Sequence, residues 1–284
     1  MKNTILLFSI LLILMVSACK EVDQKTITTE EATVLVTEAA TAYSIFASTQ
    51  EEGTTAGFKS KNMVKSAETA SDDYPTISID PLDLTTWPKV ITVDYGSENI
   101  TGLDNHQRRG KLIINADNFP GEVGAEWVIT FEDYYHDNYE VEGEQTITYN
   151  GPNASEHPVY SCTVKDGVIT SPDDKKFYFE QQTQREWIAG YDTPLNFCDN
   201  DYEITGTHGG KSSDGYIYSM STTTPLVVGT CCRWIKEGIL YIGLDNYDLS
   251  CEIDYKPASD KGEDSCNNLA SVTVFGETFE VNLP

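Results

Sequence analysis

From Ile77 onward the apolar residues fall on every second position, a period that suits strands and defeats helices. Ile77/Ile79 and Ile91/Val93/Tyr95 open the series, and Trp127/Ile129/Phe131 alternate with Glu126/Val128/Thr130. Tyr139/Val141 and Ile147/Tyr149 share one parity, while Glu140, Glu142, Glu144, Thr146 and Thr148 take the other. Tyr216/Tyr218/Met220, Val272/Val274 and Phe279/Val281/Leu283 continue the habit. Successive strand side chains point to opposite faces, so each run offers one face to a core and one to water. Asn150-Gly151, Asp166-Gly167, Asp214-Gly215 and Glu237-Gly238 supply turn chemistry. No long helical period interrupts, which argues against parallel crossovers. The expectation is an all-β antiparallel meander over residues 76–284, built as a sandwich or as an extended half-open sheet.

One short helix precedes it. Thr28-Thr29-Glu30-Glu31 has the form of a capping box, and Ala32, Leu35, Val36, Ala39, Ala40, Tyr43, Phe46 and Ala47 follow at helical spacing. This predicts an amphipathic helix over about 29–48, with β-branched residues that make it depend on a surface to dock on. From Thr49 to Asp73 the composition turns to Gly, Ser, Thr, Lys and Glu, which reads as a flexible linker ending at Tyr74-Pro75.

The N-terminus carries a separate message. Lys2 precedes the apolar run Ile5–Val16, broken only by Ser9 and closed by Ser17-Ala18-Cys19. A run that short cannot cross a hydrocarbon core about 30 Å thick, and it reads as an export signal over residues 1–18. The small residues before Cys19 resemble a bacterial lipobox, in which the thiol is acylated and becomes the mature N-terminus. Acyl chains contribute about 0.8 kcal/mol per buried CH₂, so two suffice for a stable anchor. Residues 19–75 then comprise the anchored N-terminus, helix and linker. Position 20 is Lys rather than the Asp associated with inner-membrane retention, which favours the outer membrane on its periplasmic or cell-surface face. Lys20-Glu21-Val22-Asp23 loosely resembles surface-export tags.

The formal charge of −26 speaks against nucleic acid and anionic membrane surfaces, which are held through Lys and Arg. The membrane partner is therefore reached through the N-terminal lipid, and an extracellular glycan or protein is the remaining candidate. Beyond Cys19 there are six cysteines: Cys162, Cys198, Cys231, Cys232, Cys251 and Cys266. An even number in an exported chain suggests disulfides. The expected staples are Cys231 or Cys232 with Cys266, and Cys162 with Cys198. The alternative for at least one pair is a reduced, buried thiol.

Catalytic signatures are missing: there is no G-x-S-x-G, no H-E-x-x-H and no phosphate loop. His106, His136, His157 and His208 lie in separate polar segments. Glu126-Trp127 and Glu186-Trp187 suggest a sugar platform, yet strand neighbours face opposite ways, so core tryptophans with solvated glutamates are expected. Tyr134, Tyr135, His136 and Tyr139 read as a ligand surface in a loop, since aromatic faces offer area at low entropy cost. Asp199, Asp201 and Glu203, and separately Asp245-Asn246 with Asp248, are candidate calcium ligands, though neither has a complete loop. No other cofactor is expected.

Val93-Asp94-Tyr95-Gly96, Arg109-Gly110-Lys111, the two Glu-Trp strands, Tyr202-Glu203-Ile204-Thr205-Gly206 and Cys266-Asn267-Asn268 resemble a group of Bacteroidota-type outer-membrane and surface lipoproteins over about residues 85–284. This chain departs from them at Lys256, which stands where they carry glycine, and in the longer Pro257–Ser265 loop. The resemblance implies export and β architecture and supplies no activity. The expected function is a non-catalytic binding or structural lipoprotein. The alternatives are a carbohydrate-binding accessory of a polysaccharide uptake system and a hydrolase with a spatially assembled carboxylate pair.

Overall fold

The computed structural model describes residues 27–66, 75–194, 196–244, 247, 250–260, 266–274 and 276–283. The export signal, Cys19 and the Asp245/Asn246/Asp248 cluster lie outside these. Helix α1 spans Thr29–Ser66 and is followed by fourteen strands. They are β1 (Thr76–Asp80), β2 (Lys89–Asp94), β3 (Ile100–Thr101), β4 (Gln107–Ala116), β5 (Glu126–His136), β6 (Tyr139–Pro152) and β7 (Pro158–Thr170). Then come β8 (Lys176–Ala189), β9 (Asp201–Lys211), β10 (Ile217–Gly229), β11 (Glu237–Leu244), β12 (Ser250–Asp254), β13 (Leu269–Val274) and β14 (Glu277–Asn282). All join one antiparallel sheet in chain order, except that the short β3 sits on β4 alone. The meander expected from the alternation is therefore present as a single open sheet rather than a sandwich.

The sheet curls around the helix. Strands β1, β2 and β5–β8 reach α1, and the β9–β10 turn holds its N-terminal half, where Glu38 accepts from the Ser213 backbone N–H at 2.8 Å. Near its middle the helix is buried almost all round: Ala42, Tyr43, Ile45, Phe46, Thr49 and Gln50 are all buried. Phe46 stacks on Phe179 of β8 at 5.4 Å, and Phe58 meets Trp187 edge-on at 5.9 Å. Trp127 and Trp187 are each 2 % exposed, as the parity argument requires.

The start of α1 follows the sequence expectation. Thr28 Oγ1 accepts from the Glu31 N–H at 3.2 Å, and the Thr28 N–H donates to Glu31 Oε2 at 2.8 Å. Its end does not. The helix runs 38 residues, and residues 49–66, read as linker, are its second half. Thr49, Thr54, Ala56 and Ser60 are buried there. A Cβ on Gly53 would come within 2.5 Å of Ile129 Cδ1. The composition that suggested a linker is what lets the backbone approach β5, and the surrounding sheet overrides weak intrinsic propensity. Thr54 and Ser60 turn their hydroxyls back onto the Gln50 and Gly57 carbonyls, which satisfies them in a dry setting.

Gly110 marks a bulge between β4 and β5, where the register shifts after Arg109. Its φ is +83°, and a Cβ there would lie 2.0 Å from the Asp133 carbonyl oxygen, so only glycine fits.

Disulfides join Cys198 to Cys231 and Cys232 to Cys266. The Cys232–Cys266 staple was one of the two expected. The Cys162–Cys198 pairing is corrected: Cys162 points inward from β7, fully buried, while Cys198 lies in the exposed stretch after β8. Cys162 and Cys251 remain thiols. Burial pushes the Cys162 thiol up to about 12, so it behaves as a small apolar residue.

Candidate functional site

The first four turns of α1 face β11–β14 with small side chains: Ala32, Thr33, Val36, Thr37, Ala40 and Thr41. The opposing strands present Ile242, Leu244, Ile253, Val272 and Val274, joined by Tyr255 just after β12. Small residues on one wall and aliphatic ones on the other leave a cavity of about 640 Å³. That volume lies in the range of small-molecule sites, about 300–1,000 Å³. Phe279 of β14, 54 % exposed, stands at its rim.

One end of the cavity is polar. His106 precedes β4, and His136 and Asp137 close the β5–β6 hairpin. Asp137 Oδ2 lies 2.6 Å from His106 Nδ1 and 3.4 Å from Arg233 Nη2. Burial works against the Asp137 charge, but the His106 hydrogen bond and the Gln107 N–H hold its carboxyl below the ordinary range. Burial, reinforced by the Arg108 charge, keeps His136 neutral.

A smaller chamber of about 100 Å³ adjoins this end and shares Ser44, His106, Arg233, Trp234 and Ile235 with the cavity. Glu51 and Glu52, neighbours on α1, each meet an arginine from the sheet. Glu52 contacts Arg108 of β4 and accepts hydrogen bonds from Tyr95 at 2.6 Å and Tyr134 at 3.2 Å. Arg108 also donates to Asp104 at 2.9 Å and to Ser48 at 2.6 Å. Burial works against the Asp104 charge, yet the Arg108 hydrogen bond and charge keep that carboxyl low. Glu51 Oε2 accepts from Arg185 Nη2 of β8 at 2.5 Å. For Glu51, burial outweighs Arg185 and raises the pKa. The Arg185 guanidinium stacks on the Tyr202 ring at 3.6 Å.

Several expected site residues are placed differently. Tyr134 and His136 point into the core rather than forming a loop surface, because residues 126–136 are strand and the register shift between Thr130 and Tyr135 turns the even positions of its second half inward. Tyr135 faces outward beneath Arg109 at 3.6 Å. Tyr139 lines the cavity. The calcium candidates do not converge. Asp199 accepts from Thr193 at 2.9 Å and Asn196 at 2.6 Å, while Asp201 pairs with Lys236 at 2.9 Å. Among the described residues only His106, His136 and Asp137 bring three metal-donor atoms within 4.8 Å of one another. There the Asp137 carboxylate already contacts His106 and Arg233.

Arg185, Glu51 and Glu52 escaped the sequence reading. Arg185 carried a usable signal, since it has the parity of Phe177, Phe179 and Trp187 and so belongs to the inward face. Glu51 and Glu52 carried none, being hidden in a stretch of linker composition. No helix among the described residues is long and apolar enough to cross a membrane. No protein-family model, curated protein or solved structure matches this chain.

Proposed function

We propose that this chain is an exported, lipid-anchored binding protein whose ligand is an apolar small molecule carried between α1 and β11–β14. The observation that supports this most is the cavity of about 640 Å³, walled by small side chains of the helix and aliphatic ones of the last strands. A concave, mostly apolar site of this volume suits a small apolar ligand. The anchor at Cys19 keeps the carrier beside a bilayer, where apolar ligands are concentrated. The carbohydrate alternative has less support, because Trp127 and Trp187 are core residues. A hydrolytic carboxylate pair has less support too, because Glu51 and Glu52 are each engaged by an arginine.

Displacement of the fluorescent probe N-phenyl-1-naphthylamine by a series of n-alcohols tests the binding. Affinity rises about fourfold per added methylene until the cavity is full, following about 0.8 kcal/mol per buried CH₂. Absence of probe uptake, or uptake that does not respond to chain length, would refute the reading. Palmitate labelling of wild type against Cys19→Ser tests the anchor, which predicts label only in the wild type.

A further inference from the structure

We propose that His106, His136 and Asp137 hold a divalent metal ion of the zinc class at the polar end of the large cavity, with one coordination position open to that cavity. This goes beyond the carrier reading and does not depend on it. The three side chains come from two neighbouring strands: His106 stands just before β4, His136 ends β5, and Asp137 begins the turn into β6. That turn has two residues, Asp137 and Asn138, both at positive φ. The Asp137 N–H donates to the Gln107 carbonyl at 2.7 Å, which ties the turn to β4. The Gln107 N–H in return donates to Asp137 Oδ1 at 2.8 Å. A carboxylate held by one oxygen in this way turns the other, Oδ2, toward the two histidines.

Asp137 Oδ2 lies 2.6 Å from His106 Nδ1 and 4.0 Å from His136 Nδ1. Ligands bonded to a tetrahedral zinc ion at about 2.0–2.2 Å sit about 3.3 Å apart, between those two values, so an ion seats with shifts of about 0.7 Å. His136 is 1 % exposed, its Nε2 is buried without a hydrogen-bond partner, and its Nδ1 is beyond hydrogen-bond reach of Asp137. A buried imidazole in that position is better satisfied as a ligand. His136 is kept neutral and Asp137 ionised, the states a metal ion requires. Two imidazoles and one carboxylate suit zinc rather than calcium or magnesium, which take oxygen donors. All three residues line the cavity, and three protein ligands with a fourth position free is the arrangement of a site that binds something further, since closed structural sites use four. The opposing charges are two. Arg108 is met by Glu52 and Asp104, whereas Arg233, 3.4 Å from Asp137 and part-exposed, is the cation an incoming ion must push aside. His157 gives the contrast: it lies 2.7 Å from Glu186 at the surface, and no third donor joins them among the described residues.

The test uses the full chain, untagged, with Cys19→Ser, which removes the acylation site and leaves the described residues unchanged. After treatment with a chelator, calorimetric titration with Zn²⁺ should show one equivalent bound. Asp137→Asn, which suits the same turn, should weaken binding by at least about tenfold, and Arg233→Gln should tighten it about threefold. His157→Gln should leave it unchanged. In spectra of ¹⁵N-histidine-labelled protein, Zn²⁺ should shift the ring nitrogens of His106 and His136 and spare those of His157 and His208. Co²⁺ in place of Zn²⁺ should give visible absorption bands that azide shifts, because azide can enter the free position. Absence of Zn²⁺ uptake, or uptake that a folded Asp137→Asn retains in full, overturns the site. Uptake lost with His157→Gln puts the ion on the surface and overturns it equally. If Asp137→Asn does not fold, the Arg233→Gln affinity and the histidine shifts decide the matter by themselves. Cobalt bands indifferent to azide overturn the open position.

Discussion

The two ends of α1 meet the same sheet in opposite ways. From Tyr43 to Ser60 the helix is gripped by large aromatic residues, and apart from the chamber of about 100 Å³ beside Glu51 and Glu52 the space is filled: Phe46 against Phe179 and Phe131, Phe58 against Trp187, Gly53 under Ile129. From Ala32 to Thr41 it shows small side chains to β11–β14, and a cavity remains. Both disulfides fall in the C-terminal third of the chain, as though the thinly packed end needed covalent support. The lesson is that one helix and one sheet can divide labour along their length. Dense packing along the middle of the helix leaves room for a looser first half, which is where the proposed ligand site lies.

The largest test of that division is a matched truncation. Phe46→Ala should cost about 3–5 kcal/mol in urea unfolding, whereas Val36→Ala, on the cavity wall, should cost less than about 1 kcal/mol. Equal losses would mean that the cavity is as tightly packed as the middle of the helix. Next comes the staple. Cys232→Ser/Cys266→Ser opens a loop of 34 residues and should cost about 3–4 kcal/mol. Hydrogen exchange should show the opening confined to β11–β14, with β5–β8 still protected.

A third test exploits pH. His208, at the dense end, lies edge-on to Tyr43 at 4.9 Å, and neither ring nitrogen has a hydrogen-bond partner. Burial depresses its pKa to about 4, from an ordinary value near 6.5. Above pH 6.5 folded and unfolded chains are both neutral here, and the full stability is present. As pH falls toward 4 the unfolded chain takes up a proton that the folded imidazole refuses, so stability is lost through that window. Between pH 7 and 4.5 the loss from this group should be about 2–3 kcal/mol. His208→Phe should remove that share of the acid sensitivity, and an unchanged slope would contradict the burial argument. The smallest and sharpest comparison uses neighbours on one helical turn. Ala39→Leu, fully buried, should overpack and cost about 1–3 kcal/mol. Ala40→Leu projects into the cavity, so stability should change by less than about 1 kcal/mol while probe uptake falls.

Alternation was legible because it is a local property. Trp127, Ile129, Val141, Ile147, Tyr218 and Met220 all face inward, as their parity requires. The same rule fails at Tyr134 and His136: the irregularity between Thr130 and Tyr135 moves the inward parity of β5 from odd to even positions, so an unbroken alternation would have placed both outside. The second half of α1 was illegible because its threonines, serines and glycines have the composition of a linker. Only a sheet pressed against them makes smallness an advantage.

The strand period, the capping box at Thr28 and the spacing of turns were settled by the sequence alone, since each depends on neighbours a few residues apart. Tertiary structure decided the length of the helix, the partner of each cysteine, the meeting of Glu51 with Arg185 across 134 positions, and the cavity itself. Those features depend on how a curled sheet brings distant segments together. A void has no residues of its own, so it exists only where two surfaces fail to fill the space between them.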